Sequence, residues 1–185
     1  MKHFLMKLSL YMALFFAALL GLSACLDEAS EDTEDVVVEG LRPVYAPADT
    51  WRDISAEPAR PVARLGKIYY KHPYIFVNEL YDGIHIFDNT NPLQPVRIKF
   101  IQIKGNEDIA IKDSLLYANN ATDLVVLDIS DLDNIRTVGR KADVYGDGQF
   151  LYPNTFQGFF ECVEPSKGKV IGWEKATLLN PKCWR

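Results

Sequence analysis

From Lys67 to about Gly146 the chain alternates short runs of β-branched and aromatic residues with turn signals such as His72-Pro73, Asp82-Gly83, Asn91-Pro92 and Asp113-Ser114. Runs of this length and composition predict strands, and turns this close predict antiparallel neighbours. The pattern also repeats. Lys67–Asn78 lies over Asp108–Asn119 at an offset of 41 residues, and Ile84–Pro92 lies over Leu124–Leu132 at an offset of 40. The single-residue change is expected in the loop near Gly83. Ile84 and Ile86 point one way along their strand and His85 and Phe87 the other, so this strand is predicted to be covered on both faces. Helical periodicity is nearly absent.

A repeat of ~40 residues with three or four strands is the spacing of units that bury their apolar faces against one another, as propeller blades do. The predicted fold is therefore all-β, a propeller-like stack of antiparallel blades with clear repeats at 66–105 and 106–146. A partial third unit is expected at 150–185, with Phe159–Val163 and Lys169–Trp173 forming a hairpin. Pro43, Pro47, Pro58 and Pro61 predict an extended lead-in over 41–65 without continuous regular structure. Two units and a fragment fall short of a closed ring. The stack is expected to stay open, to be completed by the lead-in, or to pair with a second copy as a homodimer.

The N-terminus carries an address. Lys2, His3 and Lys7 precede an apolar run from Leu8 to Leu22, which closes on Leu22-Ser23-Ala24-Cys25. This is the layout of an export signal over 1–24, and the run is shorter than the ~20 residues that span a bilayer. Leu-Ser-Ala-Cys resembles the lipobox of bacterial lipoproteins, which implies that Cys25 is acylated and anchors the mature chain to the outer membrane. An acidic tether is expected over 25–40, with six acids and no base between Asp27 and Asp35. An acidic stretch in this place resembles the tag that carries some lipoproteins to the cell surface.

With Cys25 assigned to lipid, Cys162 and Cys183 remain as an even pair in an oxidising compartment. They are a candidate disulfide, with a buried core thiol at Cys162 as the alternative. Removing 1–24 takes away two lysines and no acid, leaving 18 basic residues against 25 acidic. Six of those acids belong to the tether, so the folded body is close to neutral. Nothing in it offers the basic stripe that grips nucleic acid.

The stretches Gly83–Pro92 with Gln94-Pro95-Val96, and Asp123–Ser130, resemble LVIVD repeats: a hydrophobic strand ending in Asp, a short Asp/Ser/Asn turn, then proline before the next strand. The second copy departs from this pattern at Leu132 and Ile135. The resemblance covers about Gly66 to Gly146 and implies a propeller-like fold in exported or surface bacterial proteins, without catalytic residues to transfer.

Candidate chemistry is sparse. No nucleophile elbow, zinc-protease, Cys-x-x-Cys or phosphate-loop motif occurs, and no cofactor is implied. His72 and His85 lack further ligands for zinc, and Asp128, Ser130, Asp131 and Asp133 lack the order of a calcium loop. Asp88 and Asp128 recur at one repeat position, as do Asn78 and Asn119, and Asp82 and Asp123. Recurrence in each unit predicts that they cap their own turns.

The candidate binding surface is the loop set Asn78, Glu79, Tyr81 and Asp82 with Asn119, Asn120 and Thr122, suited to a protein or glycan partner. Phe150, Tyr152, Phe156, Phe159, Phe160 and Trp173 predict either a sugar-stacking surface or a terminal core. The leading expectation is a membrane-anchored, non-enzymatic binding module. A hydrolase using Glu107, Asp108 or Glu161 and a purely structural envelope lipoprotein are the alternatives.

Overall fold

The computed structural model describes residues 35–47 and 50–185. The segment read as an export signal, Cys25 and the acidic run through Glu34 lie outside the described residues. The chain from Asp35 forms β1 (Val37–Ala46), β2 (Ile54–Pro58), β3 (Leu65–Lys71), β4 (Tyr74–Glu79), β5 (Gly83–Asp88) and β6 (Val96–Ile103). These are followed by β7 (Ile109–Lys112), β8 (Leu115–Asn120), β9 (Asp123–Asp128), β10 (Arg136–Lys141), β11 (Phe159–Phe160), β12 (Lys169–Leu179) and β13 (Cys183–Trp184). No helix among the described residues is long and apolar enough to cross a membrane.

The strands form three sheets, none closed into a barrel. The first has the order β2-β6-β5-β4-β3 and the second β10-β9-β8-β7. β3–β6 and β7–β10 are antiparallel meanders that fall in the two aligned stretches, and β2 from the lead-in joins the first sheet beside β6. The change of offset sits between β4 and β5, where the loop has three residues (Leu80–Asp82), against two between β8 and β9 (Ala121 and Thr122). Asp88 and Asp128 close the turns after β5 and β9. Their Oδ1 atoms accept the backbone N–H two residues on, from Thr90 at 2.8 Å and from Ser130 at 3.0 Å.

The two repeats pack face to face. Phe76, Ile84, Ile86 and Ile101 of the first sheet meet Ile111, Leu116, Val125 and Leu127 of the second in one buried cluster. At ~25 cal/mol per Å² of apolar surface removed from water, this interface is the main source of cohesion between the repeats. Tyr69 Oη donates to the Ile111 carbonyl at 2.7 Å, and Lys99 reaches the Leu132 carbonyl and the Asp133 carboxylate. Ile84, His85 and Ile86 are all fully buried, so β5 is covered on both faces.

The third sheet differs from the sequence expectation. Its order is β12-β1-β11-β13, so the segments expected to form a hairpin flank β1 and do not pair with each other. β1 runs antiparallel to β12 from Val37↔Leu179 to Ala46↔Lys169, and parallel to β11 at Leu41↔Phe160. The lead-in thus supplies two strands, and β1 begins inside the segment read as tether.

Pro43 is tolerated for a geometric reason. Leu41 turns its carbonyl toward β11, where it accepts the Glu161 N–H at 2.8 Å. Two residues on, Pro43 faces the same side, past the end of the two-residue β11. The N–H that proline lacks would have had no strand to meet there.

The third sheet packs through Phe160, Val170 and Trp173 onto Trp51, Phe150, Tyr81 and Ala121, so it covers the β4–β5 and β8–β9 loops. Phe160 and Trp173 meet edge to face at 5.6 Å. Cys162 and Cys183 form a disulfide with Cα atoms 5.3 Å apart, tying the chain end to β11.

Candidate functional site

The loop residues read as a binding surface lie at the ends of β4 and β8, beneath the third sheet and the chain that leads into β3. Asn78, Glu79, Asn119, Asn120 and Thr122 are at most 4% exposed. The expected partner surface therefore does not hold for these five residues. Most of their polar groups are used inside the protein, as buried polar groups usually are, and Asn78 Oδ1 is the exception, buried without a hydrogen-bond partner.

Asn78 Nδ2 donates to Asn106 Oδ1 at 2.5 Å and to the Gly83 carbonyl at 3.2 Å. Asn106 in turn donates to the carbonyls of Asn119 (2.9 Å) and Asp108 (3.0 Å). Asn119 Oδ1 accepts the N–H groups of Glu107 and Asp108. Asn120 donates to the carbonyls of Trp51 and Lys104 and accepts from Arg140 at 2.7 Å. The amides stitch the lead-in and both repeats together.

Two buried carboxylates do the same with charge. Glu79 Oε1 accepts the Ala63 and Arg64 N–H groups, and its Oε2 meets His85 Nε2 at 2.5 Å and Arg60 at 3.5 Å. Burial alone would raise its pKa. The bonds from His85 and the two backbone N–H groups, with the Arg60 charge, outweigh that and hold it below the usual carboxylate range.

Asp123 is fully buried. It accepts from Arg52 and Arg140, each at 2.9 Å, and from the Asp143 N–H at 3.0 Å. Burial again pushes up and is outweighed, by Arg52, the Asp143 N–H and Arg140. Its repeat counterpart Asp82, half exposed, pairs with Arg60 at 2.5 Å. Tyr81 is half-buried with its ring against Gly172, and burial followed by the Glu107 charge raises its hydroxyl pKa.

Of the acids weighed for hydrolysis, Glu107 and Asp108 are neighbours in the β6–β7 loop and Glu161 lies in the segment after β11. Glu107 and Asp108 precede β7, and burial, then Asp108, raises the pKa of Glu107. Glu161 follows β11 and lies 3.7 Å from Lys167, at the end of the 3-10 turn between β11 and β12.

Half of the aromatic cluster near the C-terminus is core, with Phe150, Phe160 and Trp173 3–6% exposed, whereas Phe156 and Phe159 are half-buried and Tyr152 is exposed. What it leaves open is a cleft of about 390 Å³ lined by Trp51, Phe150, Leu151, Val163, Pro165, Lys169 and Val170. That volume lies within the range of small ligand pockets, and the walls are largely apolar. Lys169, one of the lining residues, lies 5.6 Å from the Trp51 ring, so a cation borders an otherwise apolar opening.

The sequence placed Phe150 in the aromatic cluster but gave no sign of this cleft, which depends on Trp51 from the lead-in meeting β12. His85, Asn106, Arg52, Arg60 and Arg140 also escaped it as site residues. The signal for the arginines was present: a near-neutral body that repeats an acid at Asp82 and Asp123 needs matching cations. No family model, no curated protein and no solved structure matches this chain.

Proposed function

We propose that the protein is a lipid-anchored, non-enzymatic β-repeat module, propeller-like in its two stacked sheets, that binds a protein partner at the cell envelope. Anchoring rests on the Leu-Ser-Ala-Cys25 pattern and the acidic run after it. Binding rests on the apolar cleft beside Trp51, the single observation that carries this reading. An apolar side chain entering it would bury surface on both sides, which is how small anchors dominate protein interfaces. A protein is favoured over a glycan because three of the six rings that a sugar would stack on, Phe150, Phe160 and Trp173, are turned into the core and Arg185 lies over a fourth, Tyr152. A hydrolase is disfavoured because Glu79 and Asp123 serve as structural acceptors, and Glu107, before β7, and Glu161, after β11, belong to different loops.

The test is photo-crosslinking in intact native cells, with a benzophenone side chain at exposed Pro165 and a control at exposed Lys175. The expected result is a discrete adduct from position 165 that Leu151→Asp abolishes, with none from 175. No adduct from 165, or the same adducts from both positions, overturns the assignment of the cleft.

A further inference from the structure

The interface between the two repeats holds a rule that the rest of the molecule leaves half used. In the second sheet, Ile109 and Ile111 are buried, at 7% and 8% exposure, because the first sheet covers them. Their counterparts 41 residues earlier, Ile68 and Tyr70, are 62% and 59% exposed. The opposite faces show the converse. Phe76, Ile84 and Ile86 of the first sheet are buried against the second, whereas their counterparts Tyr117, Leu124 and Val126 are only partly buried.

The turn before the last strand behaves in the same way. Leu132 and Ile135 pack on the shared core, while their counterparts in the first repeat, Pro92 and Pro95, are exposed. Each repeat thus has one face that covers and one that is covered; at the ends of the pair the Ala110–Val126 face of the second sheet and the β3 margin of the first sheet's outer face stay open, while Arg60 lies over the β5–β6 part of that outer face at Phe100.

We propose that these two end faces are a head-to-tail interface between copies of this chain, the Ile68–Tyr70 face of one copy seating on the Ala110–Val126 face of the next. Two features on the two faces match as the intrachain interface predicts. Within the chain, Tyr69 of the first sheet reaches Ile111 of the second at 2.7 Å. Moved on by one repeat, the same contact joins Ala110 to Tyr70 of the second copy, so large against medium becomes small against large. A hollow of about 120 Å³ beside Ala110, Tyr117, Leu124 and Tyr145 leaves space there for a ring.

Lys67 and Asp108 pair at 2.5 Å and occupy the same repeat position. The shifted contact therefore sets Asp108 against Lys67 of the second copy, again opposite in sign. Lys99 with Asp133 becomes Gly139 with Leu93, which places the most exposed large hydrophobe at the seam. Contacts of this kind use different patches on the two partners, so they propagate through successive copies or close into a ring. This inference does not depend on the cleft or its partner.

Two exposed positions test it in the detergent-solubilised full chain, by sedimentation velocity. Tyr70→Glu spoils one face and Ala110→Glu the other, and the unchanged thermal midpoint of each variant serves as the folding check. The wild type is expected to associate. Each variant alone should be weakened by about tenfold or more, and an equimolar mixture should recover a dimer through the one intact pair of faces. A wild type that stays monomeric up to about 100 µM overturns the proposal. So does a single variant that associates like the wild type, or a mixture no better than its components.

Discussion

Replacing Asp123 probes the buried charge that joins the lead-in to the second repeat. The carboxylate is fully buried and takes three donors at 2.9–3.0 Å, from Arg52, Arg140 and the Asp143 N–H. Removing one partner of a buried ion pair costs about 3–5 kcal/mol when the other charge stays buried. Here the arginine side chains are 48% and 25% exposed, so both regain water once the acid is gone. Asp123→Ala is therefore expected near the low end, about 3 kcal/mol, and Asp123→Asn, which still accepts from the backbone, about 1–2 kcal/mol.

The assay is urea unfolding of wild type and variants, followed by the fluorescence of Trp51 and Trp173, both buried. The folded-state pKa of Asp123 lies below its ordinary value, so its contribution is fully present above about pH 4 and is lost as pH falls through the folded-state value. The gap between wild type and Asp123→Asn should be constant from pH 7 to about 5 and shrink on further acidification. A gap under about 0.5 kcal/mol at pH 7, or one that widens toward low pH, refutes the reasoning.

Other consequences follow from the same contacts. Glu79→Gln should lower stability at neutral pH by about 1–3 kcal/mol, and the loss should fade as acid neutralises Glu79 in the wild type, measured by the same unfolding series. Gly83 has φ +151°, and a Cβ there would lie 2.0 Å from the Ile101 carbonyl oxygen. Gly83→Ala should therefore destabilise by more than about 2 kcal/mol in thermal melts, while Gly148→Ala, with nothing within 4 Å of the added carbon, should change little. Cys162→Ser should lower stability by about 3 kcal/mol, the chain-entropy value for the 21-residue separation, and should abolish the wild-type response to reductant.

The repeats were legible because each is local: strands of four to eight residues joined by tight turns declare themselves through alternation and turn residues. The offset change near Gly83 and the Asx turns at Asp88 and Asp128 were readable for the same reason. The third sheet was not, since its main pairing joins Val37 to Leu179 across nearly the whole chain, and no local pattern encodes that. Pro43 hid β1 because proline argues against a central strand, whereas β11 is too short to ask for its missing N–H.

The loop residues misled for a different reason. Asn78, Glu79, Asn119 and Asn120 are polar at strand ends, which reads as a solvated rim. The segment from Arg60 to Arg64 and the third sheet then fold over them, turning a rim into a buried hydrogen-bonded seam. The cleft needs that same long-range closure, so it could not appear before the lead-in was placed.

The claim on which the functional reading stands is that this body is held at the envelope by lipid on Cys25. Mass spectrometry of the N-terminal peptide, from protein purified out of native membranes, tests it directly. The predicted result is a chain beginning at Cys25 and carrying diacylglycerol and a further acyl group, with Cys25→Ala unprocessed and free of label from palmitate. A native chain that begins at Met1, or at an unmodified Cys25, would contradict the account.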